Sequence, residues 1–416
     1  MSTVDTDSGD RTTTGTRTPF RALRVVNFRR YLAGQAISLV GPWMQAVALP
    51  WLVLQLTGSG TMLGLVVALR FLPLLLAGPY GGLLADRSDK RRLLLTTQSA
   101  LACLSLLLGV LLVTDAVRLW MVLLHALLCG IVTAVDNPAR QALLPELVSP
   151  ALLTNAVSLY SVTNSAARAV GPAVAGVLIA ATGVGPCFLV NAATSGAVMF
   201  SLATLRTDRM VTPPAVKRAR GQLTDGLRHV RGRPGLWVPL AMMALIGTLA
   251  YEFQVVLPLL ATAYGDARTL GLMTSAMGVG AVVGGLLVAA YGRPGIVPLA
   301  AAAAVFAVSL AVAAIVSPLP ALLACLACVG CCGTVFLATG NTTLHLITEP
   351  RFRGRVMSLW SAALLGSTPV GGPVVGTLIQ HYGPRSGLVC GAAACTAASA
   401  LALLALPRVP LPHRHL

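Results

Sequence analysis

The chain has 416 residues, of which 56% are hydrophobic and only 10% charged. Soluble proteins carry about 25% charged residues, so a chain this apolar would aggregate in water and is excluded as a soluble globular protein. Its net charge of +17 would suggest nucleic acid if it lay on one water-exposed face, but the basic residues fall in short gaps between apolar runs, which argues against RNA or DNA as a partner.

Residues 1–27 are rich in Thr, Ser, Asp and Arg and have no apolar core. They read as a disordered cytoplasmic tail, not a cleavable signal. A helix needs about 20 apolar residues to cross ~30 Å of hydrocarbon. Runs of that kind predict twelve spans, near residues 31–56, 62–85, 93–114, 119–136, 154–182, 186–205, 236–263, 268–290, 296–316, 319–344, 356–380 and 386–406. Two gaps are long, 137–153 and 206–235. The expected fold is an all-α membrane protein of twelve transmembrane helices.

Lys and Arg orient those spans. With the N-terminus inside, 25 of the 30 basic residues lie in inside segments and three (Arg118, Arg268, Arg385) outside, while Arg70 and Arg168 fall within spans. Both termini are therefore expected in the cytoplasm of a cell whose plasma (inner) membrane holds the protein. A shift of 200 residues lays Ser158-Leu159-Tyr160-Ser161 on Ser358-Leu359-Trp360-Ser361, Gly171 on Gly371 and Gly176 on Gly376. The simplest division is an N-terminal six-helix half (28–205), a basic cytoplasmic linker (206–235) with a surface helix over Leu223 to Val230, a C-terminal six-helix half (236–406) and a cytoplasmic tail (407–416).

Nine cysteines lie in or beside apolar runs. The spacing of Cys325, Cys328 and Cys331 imitates a cluster ligand set, but the surrounding Ala and Gly read as a packed membrane helix. No metal, cofactor or disulfide framework is expected.

The gap after the second span reads Gly81-Gly82-Leu83-Leu84-Ala85-Asp86-Arg87-Ser88-Asp89-Lys90-Arg91-Arg92. It resembles the signature between the second and third helices of the major facilitator superfamily, Gly-x-Leu-Ala-Asp-Arg-x-Gly-Arg-Arg, with Asp89 in place of the second glycine. Asp tolerates a left-handed turn, so the turn is expected to survive. The resemblance implies the major facilitator fold and a conformational latch. Gly82 would permit close approach of the two halves, Asp86 would face the positive N-terminal end of a helix in the other half, Arg87 would belong to the same latch, and Lys90 or Arg91 would pair with a carboxylate at the end of the fourth span, for which Asp136 is suitably placed. The other reading is a simple positive-inside anchor.

The fifth span holds Asn164, Arg168, Gly171, Pro172 and Gly176. It partly resembles the Gly-Pro motif of the drug:proton antiporter branches. Ordinary helix packing is an equal reading, since Gly-Pro kinks a helix and small residues pack closely. Asp136-Asn137-Pro138-Ala139-Arg140-Gln141 through Leu147, Phe28-Arg29-Arg30-Tyr31-Leu32 and Asp225-Gly226-Leu227-Arg228 resemble the efflux branch that includes enterobactin exporters and macrolide efflux proteins.

Charge inside a membrane is costly and is a functional hypothesis by default. Glu252, in Leu249-Ala250-Tyr251-Glu252-Phe253-Gln254, is either a proton or substrate site or a carboxyl bonded to a neighbouring helix. Arg168 and Arg70 are its counter-charges, anion ligands or packing residues. His125 titrates near neutral pH in water or is a core histidine. Gln254, Gln45 and Trp43 are candidate cavity contacts. The expected function is a secondary active transporter exchanging protons for a small amphipathic molecule (drug, siderophore or secondary metabolite), acting as a monomer in the lipid bilayer. The alternatives are an importer or facilitator on the same fold and, more remotely, a membrane receptor. No Walker-type sequence occurs, which disfavours an ATP-driven pump, and no His, Asp or Cys cluster suggests an enzyme.

Overall fold

Within hydrocarbon no water bonds the peptide groups, so each apolar run must satisfy them internally, and a helix does so. The computed structural model of the chain describes residues 20–206, 230–231, 233–349 and 352–406, without the side chains of residues 78, 79, 82, 83, 85 and 86. Among the described residues every regular element is helical, and twelve spans are long and apolar enough to cross a membrane.

The first span is α1 (Val26–Ser38) and α2 (Val40–Thr57), kinked at Leu39. Then come α3 (Gly60–Arg87), α4 (Lys90–Val113), α5 (Leu119–Leu147), α6 (Pro150–Thr182) and α7 (Gly185–Ala203). The seventh span is α8 (Pro234–Leu249) and α9 (Phe253–Thr262). It is followed by α10 (Ala267–Tyr291), α11 (Ile296–Ile315) and α12 (Leu319–Ile347), by the eleventh span in two pieces, α13 (Arg353–Leu365) and α14 (Thr368–Tyr382), and by α15 (Arg385–Ala405). An even number of crossings puts both ends of the membrane region on one side, the terminal side; the other is the far side.

Two expectations need correction. The gap predicted over residues 137–153 is mostly helix, because α5 runs unbroken to Leu147 with Pro138 and Pro145 inside it. Its 29 residues span about 43 Å at 1.5 Å per residue, so its last turns stand clear of a ~30 Å hydrocarbon layer. There an Asp136–Arg140 ion pair on one helix face and a Lys90–Glu146 bridge to α4 hold it. The turn at Asp89 is not left-handed: Asp89 is extended (φ −62°, ψ 109°) and its carboxylate accepts from the Arg92 N–H, capping α4. Asp89 thus acts as a helix N-cap, a task for which glycine has no side chain. The expected linker helix over Leu223 to Val230 lies, but for Val230, outside the described residues.

Within the first half α3 packs on α5 and α4 on α7; within the second α10 packs on α12 and α11 on α15. The halves meet where α3 crosses α14 and α6 crosses α10, with α2 and α9 between. Both crossings lie toward the far side and are backbone on backbone. A Cβ on Gly64 would sit 2.2 Å from the Gly372 carbonyl oxygen, and one on Gly376 2.4 Å from that of Gly60. In the other crossing a Cβ on Gly271 would meet the Pro172 oxygen at 2.6 Å, and one on Gly176 the Ala267 oxygen at 2.8 Å. The 200-residue repeat therefore places equivalent small residues in both crossings: Gly171 to Gly176 in α6 and Gly371 to Gly376 in α14.

This seam predicts a specific defect. Gly64→Leu and Gly176→Leu each force a side chain into opposing backbone, so the far side should open. In a cysteine-free background, spin labels at Ala181 and Ala263 should move to longer separations in the Gly176→Leu protein. An unchanged distance distribution would mean the seam tolerates the side chain.

Candidate functional site

The seventh span is discontinuous where its acid sits. α8 ends at Leu249, Ala250–Glu252 leave the helix, and α9 starts at Phe253. Two side chains pin the break: Tyr251 donates its hydroxyl to the Gly333 carbonyl of α12 at 2.6 Å, and Glu252 turns inward, 2% exposed. The eleventh span breaks opposite. Pro369 has no N–H and its ring clashes with the carbonyl four residues back, which is Leu365, the last residue of α13. The Ser367 hydroxyl then donates to the Leu364 carbonyl at 3.2 Å. The two breaks pack together: a Cβ on Gly247 would touch the Ala363 oxygen and Ser367 Oγ, both at 2.9 Å.

Glu252 lies in this junction. A Cβ on Gly371 would reach its Oε1 at 2.8 Å and the Thr248 carbonyl oxygen at 1.9 Å, so a glycine there makes room for the carboxyl. The Thr368 hydroxyl stands beside it at the first residue of α14, where the helix N-terminus favours negative charge. Oε1 nevertheless has no hydrogen-bond partner. A buried carboxyl oxygen without a partner is costly in either protonation state, and that cost is lowered when a proton or a ligand arrives.

Arg168 occupies the facing helix. Val157, Ser161, Asn164 and Arg168 of α6 recur at helical spacing, and Val157, Ser161 and Arg168 are exposed. Val162, Val170, Val174 and Val177 form an exposed apolar stripe on the opposite face, as expected of lipid contact. The polar stripe therefore faces the space between the halves. The Arg168 guanidinium lies over the Trp43 ring, 5.4 Å from its centroid, and Trp43 donates to Asn164 Oδ1 at 3.4 Å. Tyr251 is within electrostatic reach of Arg168. No ion pair joins Arg168 to Glu252 among the described residues, so the counter-charge reading does not hold in this conformation: the carboxyl is buried at the helix junction while the guanidinium is stacked on Trp43.

The other candidates divide. Gln254, in the first turn of α9, is half-buried. His125 is buried inside the first half, edge-on to Phe188 of α7 at 5.7 Å and 3.5 Å from Cys129 Sγ. Arg70 lies beside them, its carbonyl against Gly130 of α5. Gln45 donates to Ser105 Oγ at 2.8 Å and is a tie within the first half. Gly171 packs on Trp43, where a Cβ would meet the Trp43 Cβ at 2.6 Å, while Pro172 and Gly176 belong to the seam.

At the terminal side the latch takes a different form from the expected one. Lys90 does pair with a carboxylate at the end of the fourth span, but it is Glu146, at 2.9 Å. Asp136 is already engaged: Oδ1 accepts from Thr97 at 2.7 Å and Gln98 at 2.8 Å, and Oδ2 from Arg140 at 2.7 Å. Arg140 also donates to Gln35. Arg91 donates to the carbonyls of Leu202 and Ala203 at the end of α7, a cation on helix-terminal carbonyls. Arg87 is exposed at the end of α3. The side chains of Gly82 and Asp86 lie outside the described set, so the expected contact of Asp86 with the other half does too. Sequence reading missed Glu146 and Arg140 because Pro138 and Pro145 read as a loop; the four-residue Asp136–Arg140 spacing was the available signal.

This network yields a stability prediction. Removing one partner of a buried ion pair costs about 3–5 kcal/mol, so Asp136→Ala should lower the thermal unfolding midpoint sharply by stranding Arg140. The double variant Asp136→Ala/Arg140→Leu should recover part of that loss. Unfolding of the purified protein in one detergent measures both, and a double variant no more stable than the single one would show that the two residues do not act as a pair.

A family model described as a transmembrane secretion effector of the major facilitator type matches residues 17–414. The chain is 34% identical to the staphyloferrin A transporter of Staphylococcus aureus over 39% of this chain and 41% of that protein. It is 24% identical to macrolide efflux protein A of Streptococcus pyogenes over 64% of this chain and 67% of that one. It is 29% identical to the multidrug efflux pump Tap of Mycolicibacterium fortuitum over 61% and 64%. The matched stretches thus span about two-fifths to two-thirds of these relatives. In fold the chain is similar to a bacterial homolog of the human lysosomal transporter Spinster in an inward-facing, occupied conformation (TM-score 0.72, 14% identity, covering 94% of this chain and 97% of that one). It is equally similar to a bacterial homologue of the iron transporter ferroportin in an inward-facing state (0.71, 17%, 91% and 98%).

Proposed function

The chain belongs to the transmembrane secretion effector family of the major facilitator superfamily, and we propose that it is a proton-coupled exporter of a small amphipathic molecule. The observation that carries the coupling step is Glu252, buried in the junction of two broken helices with one carboxyl oxygen unbonded. Broken helices near the membrane midplane are where secondary transporters place coupling and substrate groups. A proton on Glu252 removes a buried charge; its departure restores an anion at the start of α14. Because Glu252 packs on Gly371 and Thr368, the change in charge acts where the seventh and eleventh spans of the second half meet, at the start of α14, the helix that crosses α3 of the other half.

Alternating access is the motion that suits this arrangement. The glycine seam closes the far side while the polar stripe of α6 opens toward the terminal side. With the basic gaps on the terminal side, the positive-inside rule makes that side cytoplasmic, with both termini there and the protein a multi-pass component of the plasma membrane. The two halves, 28–205 and 236–406, are then the moving bodies, joined by the linker 206–235, and a single chain holds the whole site, so the working unit is a monomer. The export direction is supported by the names of the efflux relatives, including a siderophore transporter, a macrolide efflux protein and a multidrug pump.

Inverted membrane vesicles test the proposal. An imposed pH gradient, acid inside, should drive accumulation of macrolide and dye probes by the wild type. Glu252→Gln should abolish the dependence on the gradient while leaving exchange without a gradient measurable. Equal gradient-driven accumulation by both proteins would remove Glu252 from coupling, and accumulation by neither would defeat proton-coupled export.

A further inference from the structure

A cation within a membrane protein is expensive, and such groups are retained with a partner or on a ligand pathway. Among the described residues Arg168 has neither a carboxylate nor a hydrogen-bond partner; the Trp43 ring lies against it and Tyr251 is within electrostatic reach. Spans one, five and eight, which surround it, contain no Asp or Glu at all. The seventh span supplies Glu252, which is buried elsewhere in the helix junction. Arg168 is nonetheless exposed, at the closed end of the polar stripe Val157, Ser161 and Asn164, where the seam residues Gly171, Pro172 and Gly176 begin one turn further on. Its backbone is fixed as well: Pro172 cannot donate to the carbonyl four residues back, which is that of Arg168, and this carbonyl faces Gly278 of α10, where a Cβ would sit 2.9 Å away.

We propose that Arg168 is the receptor for a carboxylate on the cargo, so that the exported molecule is an amphipathic acid with an apolar or aromatic body that rests against Trp43 and Val157. This names the cargo class within the exporter reading and rests on it. The guanidinium offers paired N–H donors in the geometry a carboxylate accepts. The cation–π contact with Trp43 restrains the guanidinium before the ligand arrives, which reduces the ordering cost of binding. Asn164, already accepting from Trp43, fixes the ring in turn. Docking an anion there neutralises a guanidinium that has no carboxylate partner among the described residues, at the level where the two halves close.

Matched probes separate charge from shape. 2-Naphthoate, 2-naphthalenemethanol and 2-naphthylmethylammonium differ in charge on one apolar body, and their binding to full-length protein in lipid nanodiscs can be measured by equilibrium dialysis. The wild type should prefer the acid over the alcohol by about tenfold or more, the range of a hydrogen-bonded charge pair. Arg168→Gln should erase that preference with alcohol binding unchanged, Arg168→Lys should keep part of it, and Arg168→Glu should turn the preference to the amine. Thermal unfolding of each variant establishes that it is folded, and the reversal by Arg168→Glu is a result that misfolding does not produce. Equal binding of the three probes by the wild type, no binding of the acid, or an acid preference retained in Arg168→Gln would each overturn the proposal. If the acid preference follows Arg168 but no pH gradient drives transport, the exporter reading fails and the anion site stands. If gradient-driven export of the acid proceeds unchanged in Arg168→Gln, the exporter stands and the anion site fails.

Discussion

The close approach of backbones at two helix crossings is the constraint on which the rest of the structure depends. Where α3 meets α14 and α6 meets α10, carbonyl oxygens lie so near the opposing glycines that a Cβ would overlap them at 2.2–2.8 Å. In lipid there is little hydrophobic gain from bringing two apolar helices together, so association rests on van der Waals packing of small residues. Glycine permits that packing without locking side chains together. The halves therefore meet along narrow lines, which is the kind of contact that can be made and broken.

Around this seam the polar groups of the interior occupy two distinct settings. Glu252 sits where both the seventh and eleventh spans lose their helical bonding, enclosed by Gly371 and Thr368. Arg168 sits on an unbroken helix, open to the space between the halves and stacked on Trp43. Opposite charges thus remain separate although each is the natural partner of the other. The carboxyl is enclosed between two helix breaks, and the guanidinium is exposed on the polar stripe of α6.

The terminal end of the first half shows a third arrangement. Asp136, Arg140, Thr97, Gln98 and Gln35 satisfy one another in a closed network, and Lys90–Glu146 ties α4 to the end of α5. These contacts lie within one half and stiffen it. In the proposed alternating access, a first half tied together in this way would move as a unit. Buried pairs of this kind contribute geometry more than net stability.

Much of this was legible in the residues. The twelve apolar runs determined the spans because the bilayer sets one length for all of them. The positions of Lys and Arg supplied an expected orientation, and the 200-residue repeat marked the glycines of α6 and α14 as equivalent. Glu252, Arg168 and Arg70 stood out because charge in an apolar run is rare, and Asp136 because it stands at the end of the fourth span. What only the tertiary structure decided was partnership. Asp136 chose Arg140 because α5 stays helical through Pro138, which puts the two on one face. Lys90 found Glu146 because that same helix extends beyond the bilayer. Glu252 and Arg168 remained apart because the breaks at Ala250–Glu252 and Gly366–Ser367 turn one inward while Trp43 holds the other. Composition reports which groups a membrane makes costly; the distances between helices, which no single run of sequence contains, decide how each cost is met.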